Sequence, residues 1–256
     1  MKSHFIAASS IIIVLCSEAF AFDVKAKSAV VCPSGQHWVR AFHRNAYSRS
    51  DGTHVSATDV SAHCQDNPPS YAKWRDRLKS GGDLPAWAKK EKIKSWTDEE
   101  LERVFDALSE IPSIILADSV KSIYRSQKSS QYEKNPAGGD SSYIVLYDPA
   151  FDSNANLTRI LAHEFAHEAF RQIPNDLRRK YADAAGWILE EDGQSYRAGR
   201  LDYVEEDGPT SMTEDFSNNI EYFIFDRKKL QKTAPRVDSW IQKMFGDKLK
   251  LEKGPK

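Results

Sequence analysis

Long apolar runs are nearly absent from this chain of 256 residues. The longest, from Phe5 to Cys16, is too short to span a bilayer with ease and follows the basic start Met1-Lys2. Ala19-Phe20-Ala21 behind it reads as an A-x-A cleavage site, so residues 1–21 are expected to be a signal peptide. Leu15 before Cys16 speaks against lipoprotein processing. The mature chain is then expected to begin at Phe22, to be exported (periplasmic or secreted), and to hold no integral membrane segment. Cysteine is scarce too. Of the three, Cys16 would leave with the signal, and neither Cys32 nor Cys64 has a second cysteine or histidine at finger-like spacing. In an oxidising compartment they are expected to form one disulfide. There is no excess of either charge: 36 Lys and Arg oppose 37 Asp and Glu. With no strongly basic domain, nucleic acid is not expected as a partner. No internal repeat is visible.

What remains divides by composition into residues 22–85, an N-terminal disulfide-containing element, and residues 86–256. The first holds four of the seven histidines, His37, His43, His54 and His63, none of them at i, i+4. They read as surface or packing residues rather than a second metal site. Asp51-Gly52 signals a turn between short strands, and Asn67-Pro68-Pro69 closes the stretch. Tyr71 to Lys79 reads as a short helix. Thr97-x-x-Glu100 is a capping box before the helical period of Leu101, Val104, Phe105 and Leu108. Ile114 to Leu116 reads as a strand or a short buried helix, and Ser126 to Asp140 as a loop. Tyr143 to Tyr147 reads as a strand. Later helices are expected from Asp176 to about Glu191, from near Ser211, and from Ala234-Pro235.

The chemistry centres on Leu161-Ala162-His163-Glu164-Phe165-Ala166-His167-Glu168. Leu157, Ile160, Leu161 and Phe165 follow a helical period, with a cap at Ser153 or Asn154. Positions four apart share a helix face, so His163 and His167 can offer two imidazoles to one metal ion. Glu164 stands at the edge of that face, where a carboxylate that does not ligate can accept a proton from water on the metal. The bland reading is two histidines on a solvated helix face.

A catalytic zinc site has three protein ligands and one open position. The window after His167, Glu168 to Ile173, lacks the third histidine of a metzincin. A later carboxylate is needed, and Glu214 is the preferred candidate. Glu190 and Glu191 are its rivals. Ser211-x-x-Glu214 is also a capping box, so Glu214 has a purely structural alternative.

His163-Glu164-Phe165-Ala166-His167 followed at this distance by Glu214-Asp215-Phe216 resembles the gluzincin family of the anthrax lethal factor catalytic domain. The stretch from Lys232 to Pro235 and the amphipathic helix after it resemble the end of that domain. The similarity covers about residues 97–250. It implies an α+β, zincin-like metallopeptidase domain, mostly helical with a small sheet. It implies one Zn2+ on His163, His167 and Glu214, with Glu164 as base. The family places an oxyanion-stabilising tyrosine shortly before the third ligand. The nearest tyrosine here is Tyr203, for which packing or exposure is an equal reading. Where the family helix often has Ala-Glu, this chain has Ser217-Asn218.

The function expected is that of an exported zinc metalloendopeptidase acting on protein or peptide substrates, with the Tyr143–Tyr147 strand as rim of the cleft. The alternatives are a non-catalytic, metal-stabilised binding or toxin-like module, and an enzyme cleaving cell-wall peptides.

Overall fold

The computed structural model describes residues 32–251 apart from 34–35, 40, 49–53, 67–70, 82–83, 85, 131–133 and 141. The expected signal peptide, the Asp51-Gly52 turn and Asn67-Pro68-Pro69 lie outside the described residues.

The described chain starts with a ribbon. Strands β1 (Gln36–Val39), β2 (Phe42–Arg44) and β3 (Tyr47–Ser48) run out, and β4 (His54–Val55), β5 (Thr58–Val60) and β6 (His63–Asp66) return. The three antiparallel ladders keep one register, from Gln36 opposite Asp66, through Phe42 opposite Val60, to Ser48 opposite His54. They are therefore interrupted lengths of a single hairpin. The sulfurs of Cys32 and Cys64 stand 2.14 Å apart across its base. His43 pairs with Asp59 and His63 with the Ser61 carbonyl, both at 2.7 Å and exposed. These are local surface contacts.

The stretch from Tyr71 to Lys79 is not one helix. A single turn, α1 (Tyr71–Trp74), passes through a 3-10 turn into β7 (Leu78–Lys79). Leu78 pairs beside Ile123, so tertiary pairing overrides the local helical pattern. Trp74 is fully buried, its ring edge-on to Phe165 at 5.0 Å. Thus residues before the expected boundary near 85 share a core with the His-Glu-x-x-His helix, within one compact unit that starts at Cys32.

Helix α2 (Asp98–Glu110) has both arms of its capping box, Glu100 N–H to Thr97 Oγ1 and Thr97 N–H to Glu100 Oε2, each 3.1 Å. Such a cap contributes about 1 kcal/mol. Ile114 to Leu116 is neither strand nor helix. It lies in a turn that buries Ile115 and leaves Ile114 outside.

Three further strands complete the main sheet: β8 (Ser122–Arg125), β9 (Ala137–Asp140) and β10 (Tyr143–Leu146). The order is β7-β8-β10-β9, parallel except for β9, which runs antiparallel to β10. The expected loop at 126–140 thus ends in a strand. β10 lies inside the sheet, so the edge next to the metal motif belongs to β9 rather than to the Tyr143–Tyr147 strand. Successive side chains of a strand point to opposite faces. Ile123, Ile144 and Leu146 pack towards Val104, Leu108, Leu157 and Phe165, while Tyr124, Val145 and Tyr147 pack with Ala88.

Helix α3 (Asn154–Gln172) carries the His-Glu-x-x-His motif and starts on Ser153, whose Oγ accepts from Asn156 N–H at 3.0 Å. Helix α4 (Asn175–Ala185) stops earlier than expected. Gly186 takes a left-handed conformation (φ 73°) that closes the helix, and the chain turns into a hairpin of β11 (Trp187–Leu189) and β12 (Tyr196–Ala198). Ile188, inside the expected helix span, is therefore an exposed strand residue.

Helices α5 (Met212–Phe225), α6 (Arg227–Thr233) and α7 (Pro235–Met244) follow, with Asp226 capping α6 after a break that the apolar period conceals. Phe216 of α5 packs among Phe170, Tyr181 and Trp240, which binds α3, α4, α5 and α7 together. The architecture is mixed helix and strand with small sheets. Among the described residues no helix is long and apolar enough to cross a membrane.

Candidate metal centre

Leu157, Leu161, Phe165 and Ala166 seat α3 in the core. The opposite stripe, with Asn156, Arg159, Ile160, His163, Glu164, His167 and Arg171, lines a cleft of about 830 Å3. Helix α5 forms the facing wall. Its start is held by Asp215, a fully buried carboxylate that accepts from Tyr181 Oη at 2.9 Å and from Trp187 Nε1 and Asn219 Nδ2 at 2.8 Å, and pairs with Arg200.

That anchoring sets the residue beside it. Glu214 gives its backbone N–H to the Ser211 cap at 3.1 Å, but its carboxylate turns to the histidines. Oε2 lies 3.5 Å from His163 Nε2 and 3.3 Å from His167 Nε2, and the two Nε2 atoms are 3.0 Å apart. For ligand bonds of about 2.0–2.1 Å at tetrahedral angles, donor atoms stand roughly 3.3–3.4 Å apart. The triangle fits a zinc-sized cation. Among the described residues, these three make the only cluster of histidine, cysteine, aspartate or glutamate with this convergence. Glu190 and Glu191 are not in it. Glu190 follows β11, bonds the Ser195 carbonyl through its N–H at 2.9 Å, and pairs with Arg197 at 3.1 Å.

Glu164 reaches from the same stripe towards the sheet. A Cβ built on Gly139 of β9 would lie 2.5 Å from Glu164 Oε2, so the strand passes directly over this carboxylate. Tyr203 lies elsewhere. Its ring packs against Gly208, edge-on to Trp187 at 6.3 Å and 4.5 Å from the Arg200 guanidinium, and it does not line the cleft. Among the described residues, the tyrosine that does is Tyr147, whose buried hydroxyl is pushed up by burial and by Glu91.

The electrostatics match a cation site. Burial opposes a charged imidazole at His163, but the hydrogen-bonding carboxylates of Glu214 and Glu221 outweigh it and raise the pKa to about 10. Burial likewise opposes ionisation of Glu214, yet His163 and His167 hold its carboxyl far below the usual range. Without metal, then, a proton supplies the positive charge the carboxylates require. Burial pushes the Glu164 carboxyl up against the pull of His167 and His163, and Glu214 adds to the rise.

Glu221, Arg159 and Gly139 stand at the centre without belonging to the motif that marks it in the sequence. Glu221 stands two turns after Glu214 and Arg159 one turn before His163, and helical spacing is the signal that points to both. Gly139 leaves no such trace. Compared with known proteins, the chain matches no family model, no curated protein and no solved structure.

Proposed function

We propose that this protein is a zinc-dependent metalloendopeptidase of the gluzincin type, acting on protein or peptide substrates after export. The observation that carries the proposal is the convergence of His163, His167 and Glu214, with Glu164 one residue along the same helix beneath an edge strand. The donor set of two imidazoles and a carboxylate suits zinc. No fourth protein ligand joins it among the described residues, and the site opens on the cleft, which favours a catalytic over a structural centre.

Zinc, when bound, supplies Lewis acidity and lowers the pKa of water towards neutrality. The chain supplies the rest. Glu164 accepts a proton from the attacking water and delivers it to the leaving amine nitrogen. Its raised pKa suits a group that must both take and release a proton. The outer edge of β9 can pair with an extended substrate backbone, holding the scissile bond over Glu164. Cys32 and Cys64, at bonding distance, fit a compartment in which disulfides persist.

The test is Glu164→Gln. Purified wild-type protein is expected to carry about one zinc and to cleave casein or a quenched peptide library, losing activity to a chelator. The variant is expected to retain the metal and lose activity by roughly 10^2–10^4-fold. A variant as active as the parent overturns the proposal.

A further inference from the structure

Carboxylates of α5 meet both ring nitrogens of His163. Nε2 faces Glu214, and Nδ1 lies 3.0 Å from Glu221 Oε2. The second oxygen of Glu221 accepts from Arg159 Nε. Arg159 precedes His163 by one helical turn, and its guanidinium lies 4.6 Å from the Tyr222 ring centre, so it too is held from two sides. Glu221 is buried, with each oxygen engaged. Asn218, only one turn after Glu214, does not take this place. Its amide donates to Asp207 Oδ1 at 2.7 Å. His167 has no comparable support: among the described residues, nothing bonds its Nδ1.

The chemistry of a ligating imidazole gives this arrangement a role. Metal binding at Nε2 requires the proton on Nδ1, and an acceptor at Nδ1 selects that tautomer and fixes the ring plane. A carboxylate does so more strongly than a neutral acceptor. We propose that Glu221, clamped by Arg159, is the positioning residue of the centre. It presents the His163 lone pair to the metal, and Arg159 acts only through Glu221. This rests on the metal reading above. The centre is thus unequal, with one preset imidazole and one that settles on binding.

The test measures zinc affinity by competition with a chromophoric chelator, alongside the visible spectrum of the cobalt-substituted protein. Removing Glu221 alone would leave Arg159 partly buried without its counter-charge and endanger folding. The informative variant is therefore Arg159→Met with Glu221→Met, an apolar pair of similar volume, which generally preserves stability. It is expected to weaken zinc binding by roughly 10–100-fold and to shift the cobalt bands, while circular dichroism shows the metal-free protein still folded. Arg159→Met with Glu221→Gln, which keeps an acceptor at Nδ1 and leaves no unpaired guanidinium, is expected to retain most of the affinity. Parental affinity and spectrum in the double methionine variant overturn the positioning role. A wild-type protein that binds no zinc overturns the metal reading itself, so the two failures are distinguishable.

Discussion

Gly139 passes so close to Glu164 that any side chain at position 139 would occupy the space of the carboxylate. The built Cβ lies 2.5 Å from Glu164 Oε2, while the nearest backbone atom, the Tyr143 carbonyl oxygen, is at 3.4 Å. The obstruction is thus the far end of one side chain rather than the sheet. Gly139→Ala is expected to fold, with a melting temperature within a few degrees of the parent, and to bind zinc normally. Its kcat is expected to fall by tenfold or more as Glu164 is displaced, since catalytic groups tolerate little misplacement. Wild-type turnover in Gly139→Ala would show that the close pass has no catalytic consequence.

Asp215 offers a second prediction, on stability. It gathers Tyr181, Trp187, Asn219 and Arg200 onto one buried carboxylate. Asp215→Ala leaves a largely buried guanidinium and several donors unpaired, at a cost of about 3–5 kcal/mol. Urea denaturation should register that loss. Because Asp215 anchors the turn that carries Glu214, zinc affinity is expected to fall with it.

The proton held by the metal-free centre gives a pH prediction. The His163 pKa of about 10 lies above the ordinary value near 6.5. A raised folded-state pKa stabilises fully below the unfolded value, and the contribution disappears as pH rises through the folded one. The stabilisation is therefore complete below about pH 6.5 and is lost towards pH 10. Zinc requires a neutral ring and must expel the proton. Its apparent affinity is expected to rise with pH across that window. Calorimetric titration at pH 7.5 in buffers of different ionisation enthalpy should show about one proton released per zinc, and release of none would contradict the assignment.

The disulfide should act on a different part of the molecule. Cys32 and Cys64 are 32 positions apart, and closing a loop of that length contributes roughly 3–4 kcal/mol in the chain-entropy account. No described residue of the ribbon lines the cleft. Replacing both cysteines with serine is expected to lower the melting temperature and to leave zinc affinity unchanged. A parallel loss of zinc would tie the ribbon to the centre.

The parts legible in the sequence were those made by neighbours along the chain. The caps at Thr97, Ser153 and Ser211 rest on contacts three residues apart. The break after Ala185 is not legible in the pattern because Ile188 continues the apolar period of α4, whereas Gly186 ends it by its backbone conformation. Strand β9 was hidden because Gly138 and Gly139 have no side chains to alternate. Pairing with β10 and the pass over Glu164 create it.

By itself the sequence determined that two imidazoles and one carboxylate share an edge of α3, because helical geometry fixes relations within a few residues. Only the tertiary structure set the Glu214 carboxylate, and not that of Glu190, beside the two imidazoles, and only it brought Glu221 to the far side of His163. Those relations join helices remote in sequence. They depend on how the buried Asp215 cluster and the aromatic packing around Phe216 seat α5 against α3.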